Sequence, residues 1–337
     1  MLASLVASLN EGSVAAGAAL APGLAVGGLD YVPQLLNYLV NGLVFSAIIV
    51  LGGIGLSLVY SIADFANFAH GDTMTVGAYA GLVTLGAAGT AGPQVLALPL
   101  GFYAALLAGI AAAAVVAVAT HYVVYRPLDT DSIGLLITSI GVAFVYRALV
   151  QLQFGTDFIE YDVATLRPIP WVENATGITV TEHELAIVLV AVVLVAALHV
   201  VLQYTTLGRT MRATADNEDL AKVSGIRTER VITSMWLIGA GLAGAGGVFL
   251  GLYNQLGPRM GFDLLLVIFA AVILGGIGSV YGAMLGGVVI GMVNRLTPVL
   301  SDVGLPIEPA YANAIAFVIM VFVLLVRPTG IAGEGVS

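Results

Sequence analysis

A short polar segment separates two long apolar runs near residue 70. It contains Asn67, His70 and Asp72. A histidine beside a carboxylate can transfer protons, and both side chains can bind a metal ion. Two ligands without a third are a weak metal signal, so we predict no metal site here. Ionisable groups at membrane depth tend to be functional. An interfacial turn would instead expose the same groups to water, and both interpretations stay open at this point.

A second polar segment, residues 207–226, resembles an ordinary soluble protein more than the rest of the chain does. Residues 210–223 contain neither Pro nor Gly and predict one helix, which Gly225 is placed to end. A short charged helix suits the docking of a cytoplasmic partner, although a charge run is often only a solvated loop. The polar residues of this segment include Arg209, Arg212, Asp216, Asn217, Glu218, Asp219 and Lys222.

The sequence also lacks several motifs that carry chemistry. Its single lysine, Lys222, cannot form a P-loop, so the chain does not bind ATP in that way. It has no cysteine, no H-E-x-x-H zinc motif and no G-x-S-x-G nucleophile elbow. A formal net charge of −9 argues against nucleic-acid binding. We therefore predict no cofactor and no catalytic residue.

The elements that must position these segments are membrane helices. The chain is 59% hydrophobic and 9% charged, and about 20 apolar residues cross a bilayer as a helix. This composition predicts an all-α integral membrane protein, a polytopic bundle of about eight (7–10) transmembrane helices. The hairpin near 264–294 is rich in glycine; the count is seven if it is re-entrant and nine if it crosses. The other predicted spans are 34–60, two within 73–125, 132–152, 185–204, 231–253 and 309–326.

Charge asymmetry predicts how the bundle is oriented. Five of the eleven basic residues lie within 209–230, so the loop 208–230 is expected to be cytoplasmic, and the acidic loop 154–184 extracellular. Residues 1–31 are interpreted as an N-terminal tail or interfacial segment, and 32–331 as a single transmembrane domain. Arg147, near one end of its span, is expected to extend toward the lipid headgroups, with a contact to a substrate carboxylate as the alternative.

Pairs of glycines four residues apart recur in the predicted spans. Such spacing lets membrane helices approach closely, because apolar burial alone does not drive helices together in lipid. We therefore expect these glycines to serve helix packing or subunit packing. The pairs are Gly77 and Gly81, Gly247 and Gly251, and Gly282 and Gly286.

Three motifs together resemble the permease of the branched-chain amino-acid ABC importers, the high-affinity Leu/Ile/Val type, over roughly residues 35–331. In that family Glu usually stands where this chain has Asp72. A cytoplasmic E-A-A-x-x-x-G core docks the ATPases of such importers; Asp219-Leu-Ala-Lys-Val-Ser-Gly225 keeps its spacing, including Ala221, with two substitutions. The motifs are Asn67-Phe-Ala-His-Gly-Asp72 with Gly77-Ala-Tyr79; Gly208-Arg-Thr-Met-Arg-Ala213 with Asn217 and Ala221-Lys-Val-Ser-Gly-Ile226; and Ala271-Val-Ile-Leu-Gly-Gly-Ile-Gly-Ser279 with Gly282-Ala-Met-Leu-Gly-Gly287 and Arg327-Pro-Thr-Gly-Ile331.

The resemblance implies a transport subunit of the cell membrane rather than an enzyme. It implies three kinds of protein partner besides membrane lipid: a second related permease, two ABC ATPase subunits and an extracellular solute-binding protein. It makes residues 209–225 the ATPase-coupling segment, and Asn67, His70 and Asp72 candidates for the pathway or its gate. Two alternatives stay open. One is the same machine carrying urea or short amides, and the other is a secondary transporter working alone.

Overall fold

The computed structural model describes residues 31–96, 98–128, 130–163, 168–302 and 308–332. Within these residues the chain is almost entirely helical. The predicted N-terminal tail lies outside the described residues except for Tyr31, which begins the first helix. The helices are α1 (Tyr31–Ala63), α2 (Ala69–Ala88), α3 (Leu100–Thr120), α4 (Ser132–Phe154), α5 (Pro170–Thr176), α6 (Glu182–Tyr204), α7 (Thr206–Asp216), α8 (Glu218–Val223), α9 (Thr228–Tyr253), α10 (Met260–Gly275), α11 (Val280–Asp302) and α12 (Ala312–Val326).

Two short irregular elements connect these helices. Helix α3 continues as a π-helical turn, His121–Tyr125. Between α2 and α3 the chain forms an antiparallel ribbon of β1 (Gln94–Val95) and β2 (Leu98–Pro99). This ribbon follows the glycine-rich turn that the sequence predicts between two spans, and it begins after Gly89, which has a positive φ of 73°.

The apolar runs fold into helices long enough to cross a membrane. Six helices among the described residues are both long and apolar enough to do so, and α10 and α12 are shorter apolar helices. Helix α2, which is 20 residues long, is not one of the six, because its first turn contains His70 and Asp72. Lipid tails offer no hydrogen-bond partners to backbone N–H and C=O groups. A helix pairs these groups within itself, so it can cross the hydrocarbon core. The prediction of a polytopic all-α membrane protein is therefore confirmed.

Helices α1 and α9 form the centre of the bundle. The apolar stretches of these two helices are 89% and 83% buried, whereas those of α4 and α6 are only 28% buried and lie at the periphery. Helices α2, α3, α10 and α11 pack around the central pair.

Glycine lets the central helices approach within backbone contact. A Cβ atom on Gly247 would lie 1.9 Å from the carbonyl oxygen of Met74, and one on Gly77 would lie 2.6 Å from the Cα of Gly244. The other members of the predicted glycine pairs also lie against neighbouring chain. A Cβ there would come within 3.1 Å of another atom at Gly81, Gly251, Gly282 and Gly286. Small residues at these crossings supply the close packing that holds helices together in lipid.

Helices α10 and α11 form the glycine-rich hairpin. Its turn reaches the end of the bundle where α6 meets α7, because Ile277, Leu202 and Met211 line one cavity there. The hairpin starts beside the first turns of α2, because the Gly261 N–H donates to the Thr75 hydroxyl at 3.2 Å and the ring of Phe262 lies against Arg147. Helix α10, with 16 residues, is about 24 Å long, which is shorter than the roughly 30 Å hydrocarbon core of a bilayer.

Candidate functional site

The segment between α1 and α2 folds back into the bundle. Helix α1 ends at Ala63, and Asp64 has a left-handed φ of 52° that reverses the chain. The His70 Nε2 atom lies 2.9 Å from the carbonyl oxygen of Gly52. Gly52 is eleven residues, or about 16 Å of helix, before the end of α1. Helix α2 therefore begins well inside the bundle and not at its surface.

This placement buries the whole polar turn. Asn67, His70 and Asp72 are 3%, 1% and 1% exposed. The alternative in which these groups face water at the membrane interface is therefore wrong. A hydropathy pattern cannot show the fold-back, because it does not say at what depth a helix begins.

Each side chain in the buried turn has a polar partner. The Asn67 Oδ1 atom accepts hydrogen bonds from the backbone N–H of Ala69 at 3.0 Å and from the hydroxyl of Tyr125 at 3.4 Å. A carbonyl oxygen can only accept, so the His70 Nε2–H donates to Gly52. The described residues contain no group of three His, Asp, Glu or Cys side chains that could hold a metal ion. The turn is suited to fixing helices α1, α2 and α3 relative to one another.

Asp72 forms an ion pair that the sequence did not reveal. The Arg147 Nε atom donates to Asp72 Oδ1 at 3.1 Å, and its Nη2 donates to Oδ2 at 3.0 Å. The arginine side chain is 11% exposed, and its guanidinium lies 4.4 Å from the ring centre of Phe262 and 5.4 Å from that of Phe144. The expectation that Arg147 extends to the headgroups is therefore wrong. A bidentate pair with stacked rings is the geometry in which a buried charge is best compensated.

The charged segment at 207–226 forms two helices rather than the single helix expected over 210–223. Asn217 separates α7 from α8 with extended backbone angles, φ −163° and ψ 106°. Its Oδ1 atom accepts a hydrogen bond from the N–H of Leu220 at 2.8 Å, so it acts as the N-cap of α8. Asparagine is among the preferred residues for that role because its side chain competes with the helical backbone.

Gly225 ends α8 as the sequence predicts. Its φ is 84°, and the N–H groups of Ile226 and Gly225 donate to the carbonyls of Ala221 and Lys222, each at 3.0 Å. This pair of bonds is a Schellman motif, which requires a left-handed residue that glycine adopts at little cost. The exposed face of α8 combines acidic Asp219 with apolar side chains, since Leu220 is 64% and Val223 is 87% exposed.

Helix α7 is attached to the membrane helices. Met211 and Thr214 are buried, and the Arg212 Nη1 atom donates to the carbonyl of Leu202 near the end of α6. Ala221 of α8 is also buried. The remaining candidate docking residues are exposed or half-buried at this end of the bundle: Arg209, Asp216, Asn217, Asp219 and Gly225. The two candidate sites therefore stay separate, one inside the bundle and one at its end.

The chain matches known permeases over most of its length. A family profile described as "Branched-chain amino acid transport system / permease component" matches residues 38–324. The high-affinity branched-chain amino acid transport system permease protein LivH of Escherichia coli K12 is 32% identical over 311 residues, covering 89% of this chain and 96% of that protein. BraD of Pseudomonas aeruginosa, which has the same description, is 32% identical over 90% of this chain and 98% of its own length.

Two more distant similarities were also found, one to a curated relative and one to a solved structure. The probable branched-chain amino acid transport permease protein LivH of Methanocaldococcus jannaschii is 28% identical over 87% of this chain and 91% of its own length. A solved structure described as "PsaBC from Streptococcus pneumoniae in complex with Fab" has 13% identity and a TM-score of 0.39 over 87% of this chain and 92% of that one, and adds nothing to the assignment. The chain belongs to the family of permease components of branched-chain amino acid transport systems, and it is a multi-pass protein of the cell membrane.

Proposed function

We propose that this permease is one membrane subunit of an ATP-driven importer for branched-chain or related apolar amino acids. It works with a second permease, two ATPase subunits and an extracellular solute-binding protein. The observation that carries the proposal is the α7–α8 unit, a short pair of helices fixed to the bundle on one side and exposed on the other. The family membership and the relatives' described substrates support the same assignment.

Helix α8 has the properties of a docking element. Its exposed apolar side chains, Leu220 and Val223, have no reason to face water in a free subunit, and a partner's cleft would cover them. The acidic first turn and the Schellman end fix the length and direction of the helix. We assign α8 to the cleft of an ATPase subunit, where Asp219 lies on the contacting surface.

Helix α7 would transmit motion of the ATPase to the spans. The bond from Arg212 to the carbonyl of Leu202, together with buried Met211, joins α7 to the inner end of α6. Closure of the ATPases would move α8, and the packed α7 would carry that displacement to α6 and α9. Packed interfaces change between discrete arrangements rather than deforming continuously, which suits such a switch.

The buried turn then has a gating or packing role. The Asp72–Arg147 pair connects α2 to α4, while His70 connects α2 to α1. These bonds hold three helices in one arrangement around the proposed pathway. All members are satisfied internally, so direct contact with substrate is not assigned to them.

Reconstitution tests the proposed function. The permease, in proteoliposomes with its matching partner permease, ATPases and binding protein, should accumulate leucine against a gradient when ATP is supplied. The permease alone should neither hydrolyse ATP nor move leucine uphill. Leucine accumulation by the permease alone under a proton or sodium gradient would establish the secondary transporter instead. ATP-driven uptake of urea or acetamide in preference to leucine would establish the amide importer.

The proposed orientation has a separate test in this cysteine-free chain. Ala215→Cys in α7 and Asn174→Cys in α5 are both exposed sites. We expect an impermeant maleimide added to intact cells to label Asn174→Cys and to leave Ala215→Cys unlabelled until the membrane is opened. The reverse pattern would overturn the topology and the docking assignment together.

A further inference from the structure

Arg259 and Asp263 are charged side chains on an open face at the start of α10. Each is 64% exposed, and the Arg259 Nη2 atom lies 4.0 Å from Asp263 Oδ1, which is too long for a hydrogen bond. Neither residue forms another ion pair among the described residues. Asp72 and Arg147, by contrast, are nearly covered and meet in a bidentate pair. Arg259 and Asp263 therefore keep most of their hydrogen-bonding capacity for other groups.

The start of α10 lies at membrane depth and not at the surface of the bilayer. The ring centre of Phe262 lies 4.4 Å from the Cζ atom of Arg147. Arg147 is seven residues before the end of α4, a membrane-length helix, which places it about 10 Å inside that end. Asp263 directly follows Phe262 and is close enough to Asp72 to interact with it electrostatically. The carboxylate of Asp263 is therefore level with the buried turn.

Lipid is an unsuitable neighbour for these two charges. A charged side chain that faces hydrocarbon is costly, so such residues in membrane segments face the interior of an assembly or a water-filled cavity. The long side chain of an arginine can extend toward the headgroups, whereas the short side chain of Asp263 cannot. Since both side chains are largely exposed, the open face of α10 must border water or a polar partner.

The same face continues as an apolar surface. Helices α4 and α10 both pack against α2, and an aromatic ring from each lies beside the guanidinium of Arg147: Phe144 at 5.4 Å and Phe262 at 4.4 Å. Phe144 is 61% exposed. Leu266 is 49% exposed and lies next to Asp263, because residues three apart are neighbours on a helix. The surface therefore presents one positive and one negative group beside apolar side chains.

We propose that Arg259 binds the carboxylate and Asp263 the ammonium group of an α-amino acid within the translocation pathway, while the apolar side chain of that amino acid contacts Phe144, Phe262 and Leu266. This inference rests on the proposed function, because it assigns the transported substrate to a place in the pathway. The two charged groups of the ligand are joined through one carbon, and Arg259 and Asp263 approach each other to 4.0 Å, so a single amino acid can contact both. A ligand that lacks either charge leaves one of the two residues without its partner.

Thiol labelling first tests whether this face is open to water. Leu266→Cys places a single thiol beside Asp263, and Val193→Cys on the peripheral helix α6, where Val193 is 64% exposed, is the matched control. The complex of both permeases with the ATPases is treated in proteoliposomes with a charged, water-soluble thiosulfonate, with and without a non-hydrolysable ATP analogue. We expect Leu266→Cys to react in at least one of the two states and Val193→Cys in neither. An unreactive Leu266→Cys in both states would place this face against lipid or the second permease and would overturn the proposal.

Protection by ligands then tests whether both charges of the amino acid are recognised. Leucine at about ten times its dissociation constant should slow labelling of Leu266→Cys about tenfold, since the reactive fraction is 1/(1 + L/Kd), where L is the free ligand concentration. Leucinamide lacks the carboxylate, and isocaproate has the carbon skeleton of leucine without the ammonium group. Each should bind at least about tenfold more weakly than leucine and therefore slow labelling about twofold or less at the same concentration.

Variants of the two charged residues assign each contact. Arg259→Gln should bind leucine and leucinamide equally, and Asp263→Asn should bind leucine and isocaproate equally, because each variant loses one of the two charge contacts. Both side chains are largely exposed, so we expect thermal unfolding in detergent to be unchanged.

Equal protection by the three compounds, or no protection by leucine, would overturn the site in the Leu266→Cys protein alone, without either charge variant. Full protection by leucine with unchanged selectivity in both charge variants would do the same. ATP-driven leucine uptake by the complete importer, measured in parallel, separates the two proposals. Uptake without protection counts against this site alone, whereas the absence of uptake counts against the proposed function.

Discussion

The buried turn around Asp72 and the exposed α8 helix hold similar charged groups in opposite surroundings. Asp72 and Arg147 are 1% and 11% exposed and meet in a bidentate pair. Lys222 of α8 is 51% exposed, at 3.0 Å from Glu218 and 3.6 Å from Asp219. A buried pair is costly to break because the remaining charge has lost its water, whereas an exposed pair exchanges one partner for solvent. We therefore expect the charges in the turn to serve the fold and the charges on α8 to serve recognition.

The largest effect is expected from removing one member of the buried pair. Arg147→Met leaves the Asp72 carboxylate without a partner and should destabilise the subunit by about 3–5 kcal/mol. The double variant Asp72→Leu with Arg147→Met should recover much of that loss, because neither charge remains. Thermal unfolding should be measured in detergent for both single variants and for the double variant. The three values give the interaction free energy between Asp72 and Arg147. Independent, additive effects of the two substitutions would contradict the buried-pair description.

A smaller effect is expected at His70. His70→Ala removes a buried hydrogen bond to the Gly52 carbonyl, which keeps only its partner within α1, and should cost about 0.5–1.5 kcal/mol. Uptake should fall while membrane insertion is retained, because α2 loses one of the contacts that position it against α1. His199→Ala, at an exposed histidine of α6, is the matched control. Normal uptake and stability in His70→Ala would show that the turn is only a connector.

Substitutions at Gly225 test whether the left-handed backbone at the end of α8 is needed for binding of the ATPases. Valine in a left-handed conformation is strained by about 1–2 kcal/mol, so Gly225→Val should unwind the end of α8 and weaken binding of the ATPases. Gly225→Asn tolerates the same conformation and should retain binding. ATPase pull-down with the two variants separates backbone conformation from side-chain size. Equal retention of the ATPases by both would remove the support for α8 as the docking element.

The smallest effect on stability is expected at Lys222. The hydrogen bond with Glu218 raises the pKa of Lys222 above its usual 10.5. A raised pKa contributes stability that is complete below pH 10.5 and disappears only as the pH rises through the higher folded value. The pair is exposed, so Lys222→Met should leave thermal unfolding at pH 7 unchanged. A clear loss of thermal stability in Lys222→Met at pH 7 would show that the charges on α8 also support the fold.

A charge reversal on α8 distinguishes recognition from stability. Asp219 is 95% exposed, so Asp219→Arg should leave unfolding unchanged and reduce ATPase retention and leucine uptake together. Its effect on stability should lie far below that of Arg147→Met. If Asp219→Arg retains the ATPases fully, the acidic surface of α8 is not part of the contact.

Hydropathy predicted the membrane helices well and their starting depth poorly. The predicted span 132–152 became Ser132–Phe154, and 185–204 became Glu182–Tyr204, because a long apolar run is stable only when it is buried in lipid or protein. The fold-back at Asp64 was not visible, since it depends on where α2 packs against α1. The break at Asn217 was missed because a capping side chain competed successfully with helix propensity.

The candidate polar residues were found by type, but their partners were not. Asn67, His70 and Asp72 stood out as polar residues between apolar runs, whereas Arg147 was placed only by its position in a span. Asp72 and Arg147 are 75 residues apart. The only sequence signal for such a pair is that an acid and a base in apolar surroundings each need compensation, and it does not identify which partner each takes.

The distance in sequence between Asp72 and Arg147 has a consequence for biosynthesis. Chains grow at about 5–20 residues per second, so α2 emerges about 4–15 s before the arginine that neutralises its carboxylate exists. During that interval helices α1 to α3 must be held by the insertion machinery with an unmatched aspartate, in a watery channel or with the carboxyl protonated. The ion pair can close only after α4 has been made. Release of the first three helices into lipid is therefore expected to wait for the fourth.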